Sequence, residues 1–411
     1  MARPDNLSHK HMNTTPCRTA VAFLFFSSGK DWQGGKNYYR SLFGALDTDA
    51  DCSVSVHAFF GTRASPSEFD FPSSVTCVRS AVLDRGSPAW FFDKICKRLL
   101  GSAPLLERVL TRHGIQVVSH CDPSDSGNLP SISWLTDFQH VHLPHFFQPK
   151  ELKDRDAQFR RILARADRVI VSSRDAYGDL SQFSPIHAKK ARVLQFCAVQ
   201  PEVRSQDNED VECLYGLKTP FFYLPNQFWA HKNHRLAIEA LATQRKHWPD
   251  VQIVCSGSLT DYRNPNHIDG LKQRIAELGL QDHFKLLGLI PYHHIAQLMV
   301  RSAAVINPSY FEGWSTTVEE AKSLGAPLLL SDIKVHREQC TDKEALFFDP
   351  NDSNALITCM KQVLCGAWPN ENRNKRLADS LERHHSRVIE MARNYQAIVD
   401  ELVDTDVKHH A

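Results

Sequence analysis

VINPSYFEGWSTTVEEAKSLGAPLLLSD, residues Val305 to Asp332, packs a strand, a loop, a helix and a second strand into one short stretch. The first apolar run ends at Asn307-Pro308-Ser309, and a loop follows from Tyr310 to Ser315. Thr316 stands three residues before Glu319, the spacing of a capping box that opens a helix running to Leu324. Gly325 suits the left-handed position past a helix end, and Pro327 forbids continuation. The next strand is Leu328–Ser331. In an open α/β sheet, ligands bind outside the carboxyl ends of the strands, where helices begin. A helix N-terminus offers unpaired N–H groups and partial positive charge, which suits a diphosphate. Gly313 lets backbone approach a bound sugar closely. Glu312 in the loop and Glu320 in the helix form an acidic pair, of which one carboxylate can reach a sugar hydroxyl while the other reaches a ribose diol; Glu319 reads as a cap. The plainer reading of any glutamate near a helix start is a favourable partner for the dipole.

The same rhythm extends outward. In the first half, strands are expected at Thr19–Phe26, Val54–Phe60, Val75–Val78, Ile115–His120, Ser131–Leu135, Arg168–Ser172 and Val193–Phe196. Helices are expected between them at Lys36–Leu46, Phe91–His113 and Glu151–Ala166. In the second half, strands fall at Pro220–Leu224, Gln252–Ser256, Phe284–Leu287, Ala304–Asn307, Pro327–Leu330 and Ala345–Phe348, with helices between. A βαβα alternation written twice predicts an α/β protein with two doubly wound parallel sheets. The polar stretch Ala198–Leu214 reads as the linker. The expected organisation is a disordered tail over 1–16, a first domain over 17–200, a second over 212–370, and a helical region over 371–411 folding back on the first domain.

Composition narrows the function classes. Lys plus Arg number 48 against 47 for Asp plus Glu, so charge supplies no general drive toward nucleic acid. Eleven cysteines without a CxxC pair fit buried thiols in a reducing cytoplasm better than a disulfide framework or a zinc site. The apolar run Ala20–Phe26 is too short for a signal peptide, and no stretch reaches the ~18 apolar residues of a membrane helix. Peripheral membrane contact stays open. Trp90-Phe91-Phe92 with Lys94, Lys97 and Arg98 reads as either an amphipathic membrane surface or, more commonly, a helix facing a core.

The segment 305–332 resembles the hallmark of glycosyltransferase family 4, the retaining GT-B enzymes, PSxxEGxxxxxxEAxxxGxPxxxSD. It stands here as Pro308-Ser309, Glu312-Gly313, Glu320-Ala321, Gly325, Pro327 and Ser331-Asp332. The resemblance is clear over Phe221–Pro350 and looser before it. It implies two Rossmann-like domains facing a central cleft. It gives Glu312 the donor sugar's hydroxyls, Glu320 the ribose, and the backbone of Gly313, Trp314, Ser315, Thr316 and Thr317 the sugar and phosphates. Backbone around Ile290 would face the base. Lys232 matches the family's diphosphate lysine, but its arginine position falls on Asn226 or Gln227, so that arginine is absent. Gly34-Gly35 matches the glycine turn after the first strand. In WLTDFQHVHLPHFF, Asp137 matches the family aspartate, Thr136 stands where a histidine is usual, and His140 is the nearest replacement. Glu312, Lys232, Asp137 and His140 are the implied catalytic set. His140, His142 and His145 lack metal-ligand spacing, so no metal and no cofactor is expected.

The implied function is retaining transfer of a sugar from a nucleotide-diphosphate sugar, with GDP-mannose the leading donor, to a glycan or lipid-linked acceptor. Cell-surface polysaccharide or lipopolysaccharide synthesis in the cytoplasm is the implied setting, with peripheral contact at the inner face of the membrane left open. A GT-B-like nucleotide-sugar epimerase and a non-catalytic homologue that binds nucleotide sugar or glycan are the alternatives.

Overall fold

The computed structural model describes residues 18–26, 33–198, 210–369 and 372–409. The predicted tail and most of the predicted linker, 199–209, lie outside the described residues. The first domain holds β1 (Thr19–Phe25), β2 (Val54–Phe60), β3 (Thr76–Arg79), β4 (Val117–Ser119), β5 (Ser131–Leu135), β6 (Arg168–Val171) and β7 (Ala191–Val193). They form one parallel sheet in the order β3-β2-β1-β4-β5-β6-β7. The second domain holds β8 (Phe221–Leu224), β9 (Gln252–Cys255), β10 (Phe284–Leu286), β11 (Val305–Asn307), β12 (Leu328–Ser331) and β13 (Ala345–Phe348), ordered β10-β9-β8-β11-β12-β13 and also parallel. Strands such as Phe221–Leu224 and Leu328–Leu330 are wholly buried. Helices cover both sheet faces, which is why these strands read as unbroken apolar runs.

In each sheet the order reverses beside its first strand, between β1 and β4 and between β8 and β11. Loops leaving neighbouring strands at such a switch point open a crevice at the carboxyl edge. The loops after β8 and β11 carry Lys232 and Glu312, 80 residues apart in sequence and brought together there.

Local punctuation corrects several expected elements. The single helix expected over Phe91–His113 is two, Pro88–Leu100 and Pro104–Arg112. Gly101 takes φ 77°, its N–H bonds Lys97 O, and Pro104 starts the next helix. Gly34 and Gly35 lie in the first turn of helix Gln33–Thr48, not in a turn before it. Helices Arg174–Phe183 and Lys334–Gln339 were not anticipated.

The final helix, Arg373–His409, joins the halves. Met391, Ala392, Tyr395, Ile398, Val399 and Leu402 enter the first domain's core beside Phe23 and Phe43. Nearer its start, Arg387 Nη2 lies 2.5 Å from Glu319 Oε2, and Ser380 Oγ donates to Ser323 O at 3.2 Å. Glu319 is therefore structural, but not as a capping-box residue. Its carboxylate is fully buried among Arg387, Lys322 and Gln339. The described cysteines are all free. No helix among the described residues is long and apolar enough to cross a membrane.

Candidate active site

The helix after β11 begins one residue earlier than its sequence indicated. Ser315, not Thr316, is the N-cap: its hydroxyl accepts from Val318 N at 3.4 Å. Asn307 Nδ2 donates to the same hydroxyl at 2.8 Å and so fixes the strand end to the helix start. Asn226 donates to Asn307 Oδ1 at 3.1 Å and accepts from Thr317 Oγ1 at 3.2 Å, which ties the β8 loop to that helix. Between these anchors the chain presents Glu312. Lys232 Nζ lies 2.6 and 2.8 Å from its two oxygens, and Ser309 Oγ lies 2.6 Å from one. Ser309 Oγ is also 2.7 Å from Asn307 Oδ1, so its one proton serves one acceptor at a time.

Asn233 sets the lysine's position. It takes φ 56°, a left-handed conformation that asparagine tolerates, and its amide donates to Pro308 O and Pro350 O. Burial pushes the Glu312 carboxyl up. The Lys232 charge, His336 and the hydrogen bonds from Lys232 and Ser309 outweigh burial and hold it at about 2. Glu320 is the opposite case. Burial raises it to about 7, and hydrogen bonds from Tyr292 Oη (3.0 Å) and Asn37 Nδ2 (3.2 Å) only partly offset that. Neighbouring His231 is held at about 3 by burial and then by Lys232, so its imidazole is neutral.

Between the domains lies a cavity of about 280 Å³. Gly34, Gly35, Asp137, Lys232, Glu312, Gly313, Trp314 and Thr316 line it together. His140, Asn226, Gln227, Ile290, Ser315, Thr317 and Glu320 do not. His140 is buried among Phe138, Phe147, Phe159 and Phe183, and pairs with Asp156 at 3.1 Å. His142 pairs instead with Asp179 at 2.8 Å. Among the described residues no group of three or more His, Cys, Asp or Glu side chains could hold a metal ion. A larger cavity of about 430 Å³ lies between the final helix and residues 322–328. The domain cleft is the better candidate, because it alone gathers the strand-end polar groups at the switch points.

Gly313 does something other than expected. A Cβ there would fall 2.3 Å from Thr136 O and 2.9 Å from Asp137 Cβ, so its bareness admits the first domain's loop. Trp314 goes further and donates from Nε1 to Phe196 O at 2.9 Å inside the first-domain core. Asp137 itself accepts from Arg155 Nη2 at 3.0 Å and from Gln139 N at 2.9 Å.

Two arginines that the sequence reading did not single out, Arg155 and Arg263, line the cleft with Lys232. Arg235 points outward, with 73% of its side chain exposed, and pairs with Glu239. Arg263, on the loop after β9, is 12% exposed. It lies 3.2 Å from Glu151 and 4.1 Å from the Phe147 ring centroid, and reaches Gln139 Oε1 at 3.3 Å. Asp261 holds the two loops together, accepting from Ala230 N and Arg263 N, each at 3.0 Å. Aspartate two residues before an arginine was the only local signal.

Comparison with known proteins assigns the class. Residues 32–195 match the family model Glycosyltransferase Family 4, and residues 214–379 match Glycosyl transferases group 1. Both halves thus carry glycosyltransferase domains, and the chain is a family 4-like glycosyltransferase with the GT-B fold. It is 28% identical over 149 residues to the O-antigen chain mannosyltransferase RfbU of Salmonella typhimurium, a stretch spanning 36% of this chain and 39% of that protein. In fold it is similar to Anabaena HepE in complex with UDP and glucose, with TM-score 0.66, 16% identity, and 93% and 99% of the two chains covered. It is also similar to sucrose-phosphate synthase from Thermosynechococcus elongatus, with TM-score 0.66, 18% identity, and 96% and 99% covered.

Proposed function

We propose that the cleft binds a nucleotide-diphosphate sugar and transfers its sugar, with retention, to a glycan or lipid-linked acceptor. The observation that carries this reading is the partly buried Lys232–Glu312 pair, lining one cleft with Arg263 at the open end of a capped helix. In the proposed step the bond from C1 of the sugar to the phosphate oxygen breaks, and a bond from C1 to the acceptor oxygen forms on the same face. The acceptor's proton passes to the departing diphosphate. Lys232 and Arg263 stabilise the negative charge that develops on that leaving group, and no metal is required for it. Glu312, ionised across ordinary pH, orients the sugar hydroxyls and keeps Lys232 in place. Asp137, on the facing wall, contacts the sugar once the domains close. Glu320 takes the ribose when its bond from Asn37 is exchanged for the diol. The acidity of Glu312 and its engagement by Lys232 suit electrostatic orientation better than the proton shuttling an epimerase needs. Arg263 weakens the case for a non-catalytic homologue.

Mannose from GDP-mannose is the favoured donor, and surface polysaccharide or lipopolysaccharide the favoured product; the relative's name supports the mannose and the surface glycan. The test is incubation of the full-length protein with GDP-mannose, UDP-glucose and UDP-GlcNAc, reading nucleoside diphosphate release. Release from one donor, lost in Lys232→Ala, supports the reading. If no donor is turned over and none shifts the melting temperature, the reading fails.

A further inference from the structure

Helix Pro88–Leu100 does not face a core. Five of its large apolar side chains are exposed: Phe91 51%, Phe92 50%, Ile95 58%, Leu99 75% and Leu100 75%. At 3.6 residues per turn, Phe91, Ile95, Leu99 and Phe92 share an arc of roughly 100°. Lys94 and Arg98, both exposed, border that arc on one side. The helix's acid is turned inward: Asp93 is buried and accepts from Leu105 N and Leu106 N, where it caps the next helix. Lys97 is turned inward too and pairs with Asp125. The outward face is therefore only apolar and cationic. The adjoining helix, Pro104–Arg112, adds exposed Arg108 and Arg112.

The helix sits at the cleft edge of the first sheet. Lys97 Nζ lies 5.4 Å from the Phe26 ring centroid, one residue past the end of β1. Asp125 follows β4. Both contacts are at the carboxyl ends of strands, the edge that faces the cleft.

We infer that helix Pro88–Leu100 docks the first domain on an anionic lipid bilayer, with Phe91, Phe92, Ile95 and Leu99 in the headgroup–acyl boundary and Lys94 and Arg98 on lipid phosphates. An apolar face edged by cations is the pattern of an interfacial helix. A core partner would leave Lys94 and Arg98 without counter-charge, while an anionic surface supplies it. The inference bears on the proposed reading only in that a lipid-linked acceptor would be presented at that surface. Binding is read without turnover, so a failure of either idea leaves the other standing.

The experiment is flotation of the full-length protein with vesicles of phosphatidylcholine alone or with phosphatidylglycerol, at low and high salt. Wild type is expected to float with the anionic vesicles, less so at high salt. Phe91→Ser/Ile95→Ser/Leu99→Ser should lower the bound-to-free ratio at least about tenfold. Lys94→Glu/Arg98→Glu should do the same on anionic vesicles and change little on neutral ones, since each cation near such a surface contributes about fivefold. All three proteins should melt alike and release nucleoside diphosphate at equal rates from soluble donor. Wild type left unbound by anionic vesicles would overturn the inference, as would variants that float like wild type. So would a vesicle-free dimer that the serine variant converts to monomer, because a second copy would then cover the face.

Discussion

The two walls of the cleft differ in how they hold their polar groups. On the second-domain wall, Lys232, Glu312, Ser309, Asn307 and Ser315 form one hydrogen-bonded set anchored at the ends of β8 and β11. On the first-domain wall, Asp137 and Arg155 are held by one short loop and one helix, and Gly34 and Gly35 come from a helix start. Arg263 crosses between the walls, belonging to the second and bonding Glu151 and Gln139 of the first. The difference is one of preorganisation. The second-domain wall fixes its charges through a connected set of bonds at two strand ends, while on the first-domain wall Asp137 is held by Arg155 and Gln139.

The sharpest way to break this comparison is to remove its fixed charge. Lys232→Ala should lower kcat/KM for donor turnover by about 10²–10³, the typical cost of one preorganised electrostatic group. Lys232→Arg should recover part of that loss in the same assay. A loss below about fivefold would mean the lysine only braces Glu312. Contact between the walls comes next. Gly313→Val places a side chain against Thr136 O and should cost tens-fold in kcat, with the melting temperature shifted far less. Unchanged kcat would show that the walls need not meet.

A smaller effect separates the bridging arginine from its outward neighbour. Arg263→Ala should raise the donor KM about tenfold, while Arg235→Ala should change it less than about twofold. Equal effects would contradict a role for Arg263 at the donor.

The smallest effect is a pH signature that distinguishes the two glutamates. Glu320, raised to about 7, keeps its proton on folding at acidic pH. Its contribution to stability is full below the unfolded carboxyl pKa and is lost as pH rises through about 7. Glu312, lowered to about 2, behaves oppositely: its contribution is full above the unfolded value and is lost as pH falls through about 2. Glu320→Gln should therefore raise the melting temperature at pH 8 more than at pH 5. Donor KM in the wild type should improve a few-fold between pH 6 and pH 8 as the carboxylate forms, and be flat in Glu320→Gln. Equal melting shifts at the two pH values would place the Glu320 titration elsewhere.

This asymmetry also set what could be read from sequence. The second-domain wall was legible because its chemistry lies within Val305–Asp332 plus one loop, where strand, cap and glutamate spacing share a single short stretch. The cap was misplaced by one residue because Ser315, Thr316 and Thr317 are all competent caps, and only the bond from Asn307 selects the first. Asn226 carried a donor role by position, yet both sides of its amide are used in bracing strand ends. His140 was singled out by nearness to Asp137, but a half-turn of helix points it into a phenylalanine cluster. Arg263 stayed hidden because its partners are 112 and 124 residues away. The exposed face of Pro88–Leu100 was ambiguous because amphipathic spacing is the same whether the apolar side meets a core or a membrane.

The most direct test of the donor site is calorimetric titration of GDP, UDP and ADP into wild type, Lys232→Ala and Arg263→Ala. One nucleoside diphosphate should bind wild type and bind each variant at least about tenfold more weakly, with the gap narrowing at high salt. Binding of equal strength to all three proteins would contradict the assignment of the Lys232–Arg263 cleft as the diphosphate site.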